Sequence, residues 1–313
     1  MSAPLFTIAT ITYNSEKWVR QAIESVLASS YADFEFLIAD DCSTDNTWDA
    51  IQEYNDPRIR SWRNEQNIGE YPNRNKVLSE ASGKYLYFVD GDDILYKHTL
   101  RNLSEYIDAF PNAIMIWGVP SANIDFAVLP YQFDPEITMR LIYETTIPLA
   151  TVGFSETVFR INDLRRIGYL PTSYAIGDTY IKKRLALEGP VLMVPMGFAF
   201  WRRSDSQASL KASRNFKGFI ESFLIDLKII EQSRLQNKEK LLLLVKGSFI
   251  RRMIKHTILK GRFHLFFLLF KVSGLTLFDF RFVLKRYGSV FSPASVISQP
   301  LINHFHFYPF RTN

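Results

Sequence analysis

Two acidic clusters in the sequence each follow a short apolar run that ends abruptly. Asp90–Asp93, with the sequence Asp-Gly-Asp-Asp, comes directly after Tyr85–Val89, and Asp40-Asp41 closes the apolar segment that starts at Phe34. Carboxylates packed this densely are costly in free energy unless a cation compensates their charge. A hard divalent cation, Mg²⁺ or Mn²⁺, prefers oxygen ligands and is commonly shared with the phosphate oxygens of a substrate. The pattern therefore predicts metal-assisted chemistry on a diphosphate.

The segments that must position these carboxylates alternate between strand and helix patterns. Short β-branched or aromatic runs predict strands, and apolar residues recurring every three or four positions predict helices. This alternation predicts an α/β fold with a mostly parallel sheet and flanking helices. Ligands bind outside the carboxyl ends of the strands in such a sheet, so both clusters belong to one predicted site. The predicted strands are Leu5–Thr12, Phe34–Asp40, Ile59–Arg63 and Tyr85–Val89. One predicted helix follows each strand: the first is capped by Ser15, the second contains Trp48, the third begins at Pro72 and the fourth contains Leu100.

Composition and motif content exclude several classes of protein. The chain has 313 residues, of which 47% are hydrophobic and 22% are charged, as in folded globular proteins. Its single cysteine, Cys42, excludes a disulfide framework, and its five histidines lack the spacing of a zinc site. The motifs of serine hydrolases, P-loop ATPases and dinucleotide-binding oxidoreductases are absent. The N-terminus lacks the features of a secretory signal, so the sequence predicts a cytoplasmic protein.

Charge is distributed unevenly along the chain. Residues 1–210 hold 19 Lys and Arg against 27 Asp and Glu, whereas residues 211–290 hold 17 against 5. A basic block predicts an anionic partner, either lipid head groups or a nucleic acid. Residues 241–262 have the pattern of a helix that lies in a membrane interface, although a helix packed on the domain remains an alternative. The apolar side carries Leu242, Val245, Phe249, Met253 and Ile254, and the basic side carries Arg251, Arg252, Lys255 and Arg262.

The stretch from Ile8 to Asp93 resembles family 2 of the GT-A glycosyltransferases. The resemblance rests on a set of short motifs in the same order and spacing, and it continues more thinly through Gly177-Asp178 and the strand that follows. It implies a GT-A, Rossmann-like catalytic domain over residues 1–210 and says nothing about residues 211–313, which we expect to form a basic, amphipathic helical extension. The motifs are Thr12-Tyr13-Asn14, Glu24–Leu27, Asp40–Thr47, Asn67-Ile68-Gly69 and Asp90–Asp93.

The resemblance also implies roles for individual residues. Thr12-Tyr13 would line the base and ribose of a nucleotide, and Asp41 would accept a hydrogen bond from the base edge. Asp92 would bind Mn²⁺ or Mg²⁺, with Asp90 at the ribose or at a metal-bound water, and Asp178 would be the general base. The implied nucleotide-sugar site comprises Thr12, Tyr13, Asn14, Asp40, Asp41, Asn67, Gly69, Arg74, Asp90, Gly91 and Asp92.

Simpler interpretations of three of these residues stay open at the level of sequence. Asp41 and Asp178 can each cap a helix or turn, and Arg74 can be a solvated helix residue. Related enzymes often place a histidine where this chain has Phe200–Gln207, which contains none. A third metal ligand from that loop is therefore not predicted, and Arg202, Arg203 or Ser204 could contact the diphosphate instead.

The second half of the sequence has a weaker pattern. Pro120 to Pro148 predicts a loop region on the acceptor side, and order returns with Thr151–Arg160. A helix is predicted over Asp178–Leu187 and a strand over Val191–Arg202. A shift to Leu-, Phe- and Lys-rich composition after Ser209 places a domain boundary near residue 210.

Together these features predict an inverting glycosyltransferase of surface polysaccharide or glycolipid synthesis. The donor is a nucleotide-diphospho-sugar, with a UDP-sugar favoured, and the acceptor is a glycan or a lipid-linked hydroxyl. Membrane contact is expected through residues 241–290, at the inner face of the cytoplasmic membrane, and no nucleic acid is expected. A nucleotidyltransferase is an alternative, but Thr10–Lys17 lacks the glycine-rich, basic triphosphate loop typical of one. A basic-tail protein that binds an anionic polymer is a second alternative, weakened by the apolar residues of the tail.

Overall fold

The first part of the chain alternates strands with helices, as the apolar pattern predicts. The structure is a computed structural model that describes residues 3–119, 129–144, 153–174, 176–202, 216–258, 261–276 and 279. The four strands predicted in this part of the chain are confirmed to within a residue at either end. In order, the elements are β1 (Phe6–Thr12), α1 (Val19–Leu27), β2 (Phe34–Asp40), α2 (Thr47–Gln52), β3 (Ile59–Arg63), α3 (Glu70–Glu80), β4 (Tyr85–Phe88), β5 (Ile94–Leu95) and α4 (Thr99–Ala109).

The second part adds strands to the same sheet and ends in three long helices. Its elements are β6 (Met115–Val119), β7 (Tyr131–Phe133), α5 (Pro135–Glu144), β8 (Thr157–Arg160), α6 (Ile161–Arg166), α7 (Gly177–Ala186), β9 (Val191–Pro195), β10 (Ala199–Phe200), α8 (Phe216–Gln232), α9 (Lys238–His256) and α10 (Phe263–Ser273).

The central sheet has eight strands in the order β3-β2-β1-β4-β8-β6-β9-β7. β1 is parallel to both β2 and β4, and Thr12 at the end of β1 lies opposite Asp40 at the end of β2. β8 runs antiparallel between β4 and β6, whereas β6 and β9 are parallel. The carboxyl ends of β1, β2 and β4 therefore lie side by side at one edge of the sheet, directly before the predicted site residues.

Apolar side chains cover both faces of the sheet. On one face, α1 and α4 pack against residues such as Phe36 and Tyr87. On the other face, α3, α5, α7, α8 and α9 pack in one cluster with Phe88 and Trp117. Each fully buried large apolar side chain contributes roughly 1.5–3 kcal/mol to the free energy of folding. The C-terminal helices thus share a core with the sheet, and the boundary near residue 210 stays a prediction.

The apolar side of α9 is buried against the protein. Val245 is 5% exposed, and Phe249 and Met253 are fully buried. Phe249 stacks on Phe223 of α8 with ring centroids 4.0 Å apart. The predicted insertion of this side into a membrane interface is therefore wrong, and the packed alternative is correct. Within the described ranges, no helix is both long enough and apolar enough to cross a bilayer.

Three local predictions differ from the structure. Ser15 is not the helix cap, because α1 is capped at Trp18 and the hydroxyl of Ser15 donates to the carbonyl of Tyr13 at 3.4 Å. The predicted loop region between Pro120 and Pro148 contains β7 and α5. The strand predicted over Val191–Arg202 is two strands, β9 in the main sheet and β10 paired with β5.

Candidate active site

The start of α3 is fixed by a carboxylate at the end of β2. Both oxygens of Asp41 accept backbone hydrogen bonds there, from the amide of Ile68 at 2.9 Å and from that of Gly69 at 2.8 Å. Asn64 donates a third hydrogen bond at 2.9 Å. Gly69 precedes α3 with φ at 91°, a conformation that favours glycine. Asp41 therefore positions α3, and a carboxylate with about four acceptor sites keeps one for a further donor.

The loops after β1 and β2 are joined by hydrogen bonds. Asn14 has a positive φ of 51°, and its side-chain oxygen accepts a hydrogen bond from the amide of Thr44 at 2.8 Å. The amide of Asn14 in turn donates to Ser43 Oγ at 2.9 Å. The carbonyl of Thr12 accepts a hydrogen bond from the amide of Asp41. These bonds place Tyr13, which is 49% exposed, on the surface beside Asp41.

Asp40 supports this loop. Its carboxylate is fully buried and accepts hydrogen bonds from the amide and hydroxyl of Ser43 and from the hydroxyl of Thr12. The predicted contact of Asp40 with a nucleotide stays a prediction. Asn67, by contrast, is exposed on the loop before α3.

Arg74 on α3 is buried, not solvated. It is 2% exposed, and its guanidinium lies 4.3 Å from the ring centroid of Phe154. One nitrogen, Nη2, donates to Glu70 at 3.0 Å and to Asp90 at 2.9 Å. Among the described residues, neither Nη1 of Arg74 nor Oδ1 of Asp90 has a hydrogen-bond partner, although both atoms are buried. A buried polar atom without a partner is costly, so this pair is suited to a polar ligand.

The turn over residues 90–93 packs closely on the end of β1. A Cβ atom at Gly91 would lie 2.7 Å from Thr12 Cγ2, so only glycine fits there. Arg202 holds the turn from the other side: its amide donates to Asp93 Oδ1 at 3.1 Å and its Nε donates to the carbonyl of Asp92 at 2.9 Å. The guanidinium of Arg202 stacks 3.8 Å from the ring centroid of Trp18. Arg202 is thus a positioning residue, while Arg203 and Ser204 lie outside the described residues.

The same turn places three carboxyl groups within four residues. Burial, together with the neighbouring carboxylates Asp90 and Asp92, raises the pKa of Asp93 to about 8. A cation beside these groups would lower that cost, and the unpartnered Oδ1 of Asp90 is a suitable oxygen ligand. In the described ranges, no three His, Cys, Asp or Glu side chains are arranged to hold an ion. A divalent cation at this turn would have to take its remaining ligands from a substrate or from water.

Asp178 lies in the first turn of α7, against α3. The helix cap is Ile176, so Asp178 is not the capping residue. Its amide donates to the hydroxyl of Tyr71 on α3 at 3.4 Å, and Gly177 is packed so tightly that a Cβ would lie 3.0 Å from the Tyr71 ring. Its carboxylate accepts a hydrogen bond from Lys182 at 3.3 Å. Lys182 is fully buried, and that burial lowers its pKa.

The three acidic groups of the predicted site therefore meet around the first turns of α3. The carboxylate of Asp41 accepts a hydrogen bond from Gly69, directly before α3, and the carboxylate of Asp90 accepts one from Arg74. The backbone amide of Asp178 donates to the hydroxyl of Tyr71. The sequence did not single out Tyr71, whose pKa is raised by burial and by the nearby Asp178. Its spacing of three residues from Arg74 is the signal that could have found it, because residues so spaced share one face of a helix.

The chain is similar to known proteins over its first half, which includes Asp41 and Asp90 but not Asp178. Residues 7–167 match the family described as Glycosyl transferase family 2. TuaG of Bacillus subtilis, named for teichuronic acid biosynthesis, is 39% identical over 106 residues, which are 33% of this chain and 42% of TuaG. The Escherichia coli WfgD, a UDP-Glc:alpha-D-GlcNAc-diphosphoundecaprenol beta-1,3-glucosyltransferase, is 41% identical over 97 residues, 31% of this chain and 38% of WfgD. The chain thus spans well under two thirds of these relatives.

Solved structures share the fold over most of the chain. The S. aureus TarS 1–349 complex with UDP-GlcNAc has a TM-score of 0.63 at 20% identity, covering 91% of this chain and 79% of that one. The mannosyltransferase PcManGT from Pyrobaculum calidifontis, in complex with GDP-Man and Mn²⁺, has a TM-score of 0.62 at 15% identity, with the same coverage. The predicted fold is confirmed. The segment that matches the family model, residues 7–167, covers half of this chain, so the chain belongs to glycosyl transferase family 2.

Proposed function

We propose that this chain is an inverting, metal-assisted glycosyltransferase that moves a sugar from a nucleotide-diphospho-sugar to a hydroxyl group. The observation that carries the proposal is the convergence of Asp41, Asp90 and Asp178 on the first turns of α3. A nucleotide-recognition group, a phosphate-side group and a base would thereby all lie next to α3. Family membership supports the same reaction class, and the alternative of a nucleotidyltransferase gains no support from the matches.

The donor nucleotide would occupy the surface between Tyr13 and α3. The exposed ring of Tyr13 offers a stacking face for the base, and the remaining acceptor site of Asp41 suits an imide N–H of uracil. A UDP-sugar is favoured on this ground. Two similar proteins support it, since WfgD is named for UDP-Glc and TarS is solved with UDP-GlcNAc.

The diphosphate would lie beside the 90–93 turn. Asp92 and the unpartnered oxygen of Asp90 would hold Mn²⁺ or Mg²⁺ there. When bound, the ion supplies positive charge against the departing diphosphate. The free Nη1 of Arg74 is a further buried donor at Asp90, and it suits a phosphate or ribose oxygen. The PcManGT complex with Mn²⁺ shows that a protein of this fold is compatible with such an ion.

Asp178 would remove the proton from the acceptor hydroxyl. Inversion requires attack from the side of the sugar opposite the diphosphate, with a base within hydrogen-bond reach of the nucleophile. The carboxylate of Asp178 is 30% exposed, so one part can face the acceptor while Oδ2 accepts from Lys182. The acceptor is a glycan or a lipid-linked sugar, as in WfgD, whose name specifies a diphosphoundecaprenol acceptor.

Calorimetric titration with UDP, in the presence and absence of Mn²⁺, tests this function. We expect binding that is measurable with the ion and much weaker without it, because diphosphate and the 90–93 carboxylates share the ion's charge. Retention of binding after chelation, or no binding in either condition, would count against the proposal. A panel of nucleotide sugars assayed for donor hydrolysis then identifies the sugar.

The proposed contact with an anionic membrane must use the basic residues of α9 and α10, because the apolar side of α9 is buried. Arg251, Lys255, Arg262 and Lys271 are exposed, and Phe267 on α10 is 68% exposed. Anionic lipids attract such side chains by roughly 1 kcal/mol per Lys or Arg. Sedimentation with vesicles containing phosphatidylglycerol, but not with neutral vesicles, is the expected result. The proposed location at the inner face of the membrane rests on this contact. Equal sedimentation with anionic and neutral vesicles, or no sedimentation with either, would refute the contact.

A further inference from the structure

Helix α8 makes three polar contacts with the segment that carries Asp178. Glu221 Oε2 accepts a hydrogen bond from the amide of Ile176 at 3.1 Å. Lys228 donates to the hydroxyl of Tyr174 at 3.3 Å. Asp226 forms an ion pair with Lys183. Helix α8 thus contacts two residues directly before α7, Tyr174 and Ile176, and one residue within it, Lys183.

The contact between Asp226 and Lys183 is buried. The two side chains are 10% and 7% exposed, and Asp226 also accepts a hydrogen bond from the hydroxyl of Tyr143 on α5 at 3.0 Å. Buried ion pairs are rigid when further hydrogen bonds satisfy the charges, and removing one partner is strongly unfavourable. This cluster therefore fixes α7 relative to α5 and α8.

The contact of Glu221 acts on the backbone at the start of α7. Ile176 is the cap residue of that helix and lies two residues before Asp178. Amides of the first turn have no partner within a helix, so an outside acceptor determines how the chain enters it. On the donor side, Asp41, Asp90 and Arg74 are held by β2, β4 and α3 and make no hydrogen bond with α8 among the described residues.

We propose that Glu221 and Asp226 are positioning residues that set the place of the catalytic base relative to the donor. The proposal rests on the proposed role of Asp178. Misplacing a reacting group by about 1 Å can cost on the order of 10²-fold in rate, so these contacts matter for the chemical step more than for nucleotide binding. Helix α8 lies outside the matched residues 7–167. The proposal therefore extends the active site to a helix beyond the segment that matches the family.

Three variants of the full-length chain test the proposal. Glu221→Ala removes the acceptor for the Ile176 amide, and Glu221→Gln keeps an acceptor oxygen without the charge. Glu231→Ala, at an exposed glutamate of the same helix, is the matched control. The measurements are hydrogen–deuterium exchange at the Ile176 amide, affinity for UDP with Mn²⁺, and kcat and KM for hydrolysis of UDP-GlcNAc and UDP-glucose.

For Glu221→Ala we expect faster exchange at Ile176, a loss in kcat of tenfold or more, and a KM and UDP affinity within about twofold of the unmodified chain. Glu221→Gln should restore most of the rate and the protection, and Glu231→Ala should match the unmodified chain. Unchanged exchange in Glu221→Ala, or a parallel loss of UDP affinity and kcat, overturns the proposal. If neither UDP-GlcNAc nor UDP-glucose is hydrolysed, the rate of hydrogen–deuterium exchange at the Ile176 amide alone tests the proposal.

Asp178→Asn separates this inference from the proposed function. An inactive Asp178→Asn beside a fully active Glu221→Ala would refute the positioning role and leave the base in place. An active Asp178→Asn would refute the role of the base itself, whatever the exchange at Ile176 shows.

Discussion

Replacing Asp178 by asparagine should lower the rate of sugar transfer by about 10²-fold to 10⁴-fold, the range that general acid–base catalysis contributes. Asparagine keeps the shape of the side chain but cannot take the proton of the acceptor hydroxyl. Affinity for UDP should be unchanged, because the nucleotide contacts proposed for Asp41 and Arg74 do not involve Asp178. Initial rates of UDP release and calorimetric UDP titration measure the two effects.

Two controls separate lost chemistry from lost structure in that experiment. Lys182 is fully buried, and the variant removes its carboxylate partner, so the melting temperature should fall. Adding Lys182→Met should restore the melting temperature but not the rate. Asp134→Asn is a matched change at a true helix start, where Asp134 accepts a hydrogen bond from the amide of Ile137 at 2.8 Å, and it should stay active. A rate for Asp178→Asn within tenfold of the unmodified chain would contradict the assignment.

Replacing Asp92 by alanine should abolish the effect of Mn²⁺ on UDP binding and reduce transfer by about 10²-fold to 10³-fold. The estimate follows from several kcal/mol of charge stabilisation by a metal ion, at 1.36 kcal/mol for each tenfold in rate. The backbone carbonyl of Asp92, which accepts a hydrogen bond from Arg202 Nε at 2.9 Å, is kept in this variant. Titration of UDP at several Mn²⁺ concentrations measures the change.

Asp56→Ala is the charge-matched control for Asp92. Asp56 pairs with Arg58 at 2.8 Å before the start of β3, at the opposite edge of the sheet from the predicted site. Removing a carboxylate there should leave Mn²⁺-dependent binding intact. Equal loss in both variants would mean that Asp92 acts through overall charge or stability and does not bind the ion.

The first four strands could be predicted because each is a short apolar run with an abrupt polar end. Phe34–Asp40 and Ile59–Arg63 agree with the structure at both ends. The acidic residues after two of these strands fall at one edge because β1 is parallel to β2 and β4. Periodicity together with a rule about parallel sheets therefore predicts that the two acidic clusters share one edge, whereas the roles of individual residues rest on the family resemblance.

Burial of charged residues was harder to predict than the strands. Arg74 has the sequence context of a solvated helix residue, and the partner that buries it, Asp90, lies 16 positions away. A partner so distant in the sequence gives no local signal. Lys182 differs, because its partner Asp178 lies four residues earlier on the same helix, yet that spacing alone does not predict that the lysine is fully buried.

The interpretation of α9 failed for a different reason. An apolar stripe opposite a basic side is the same pattern whether the stripe faces lipid or protein. Phe223 of α8, which stacks on Phe249, decides between them, and its role is visible only when α8 and α9 are packed together. β6 (Met115–Val119) is not among the strands predicted from the sequence.

Helix α8 contributes both to the core that it shares with the sheet and to the contacts with the segment that carries Asp178. Substitutions of its buried residues would therefore change the stability of the fold and the placement of Asp178 together. Changes aimed at the acceptor are better made at solvent-facing positions of α8, such as Leu224, which is 43% exposed.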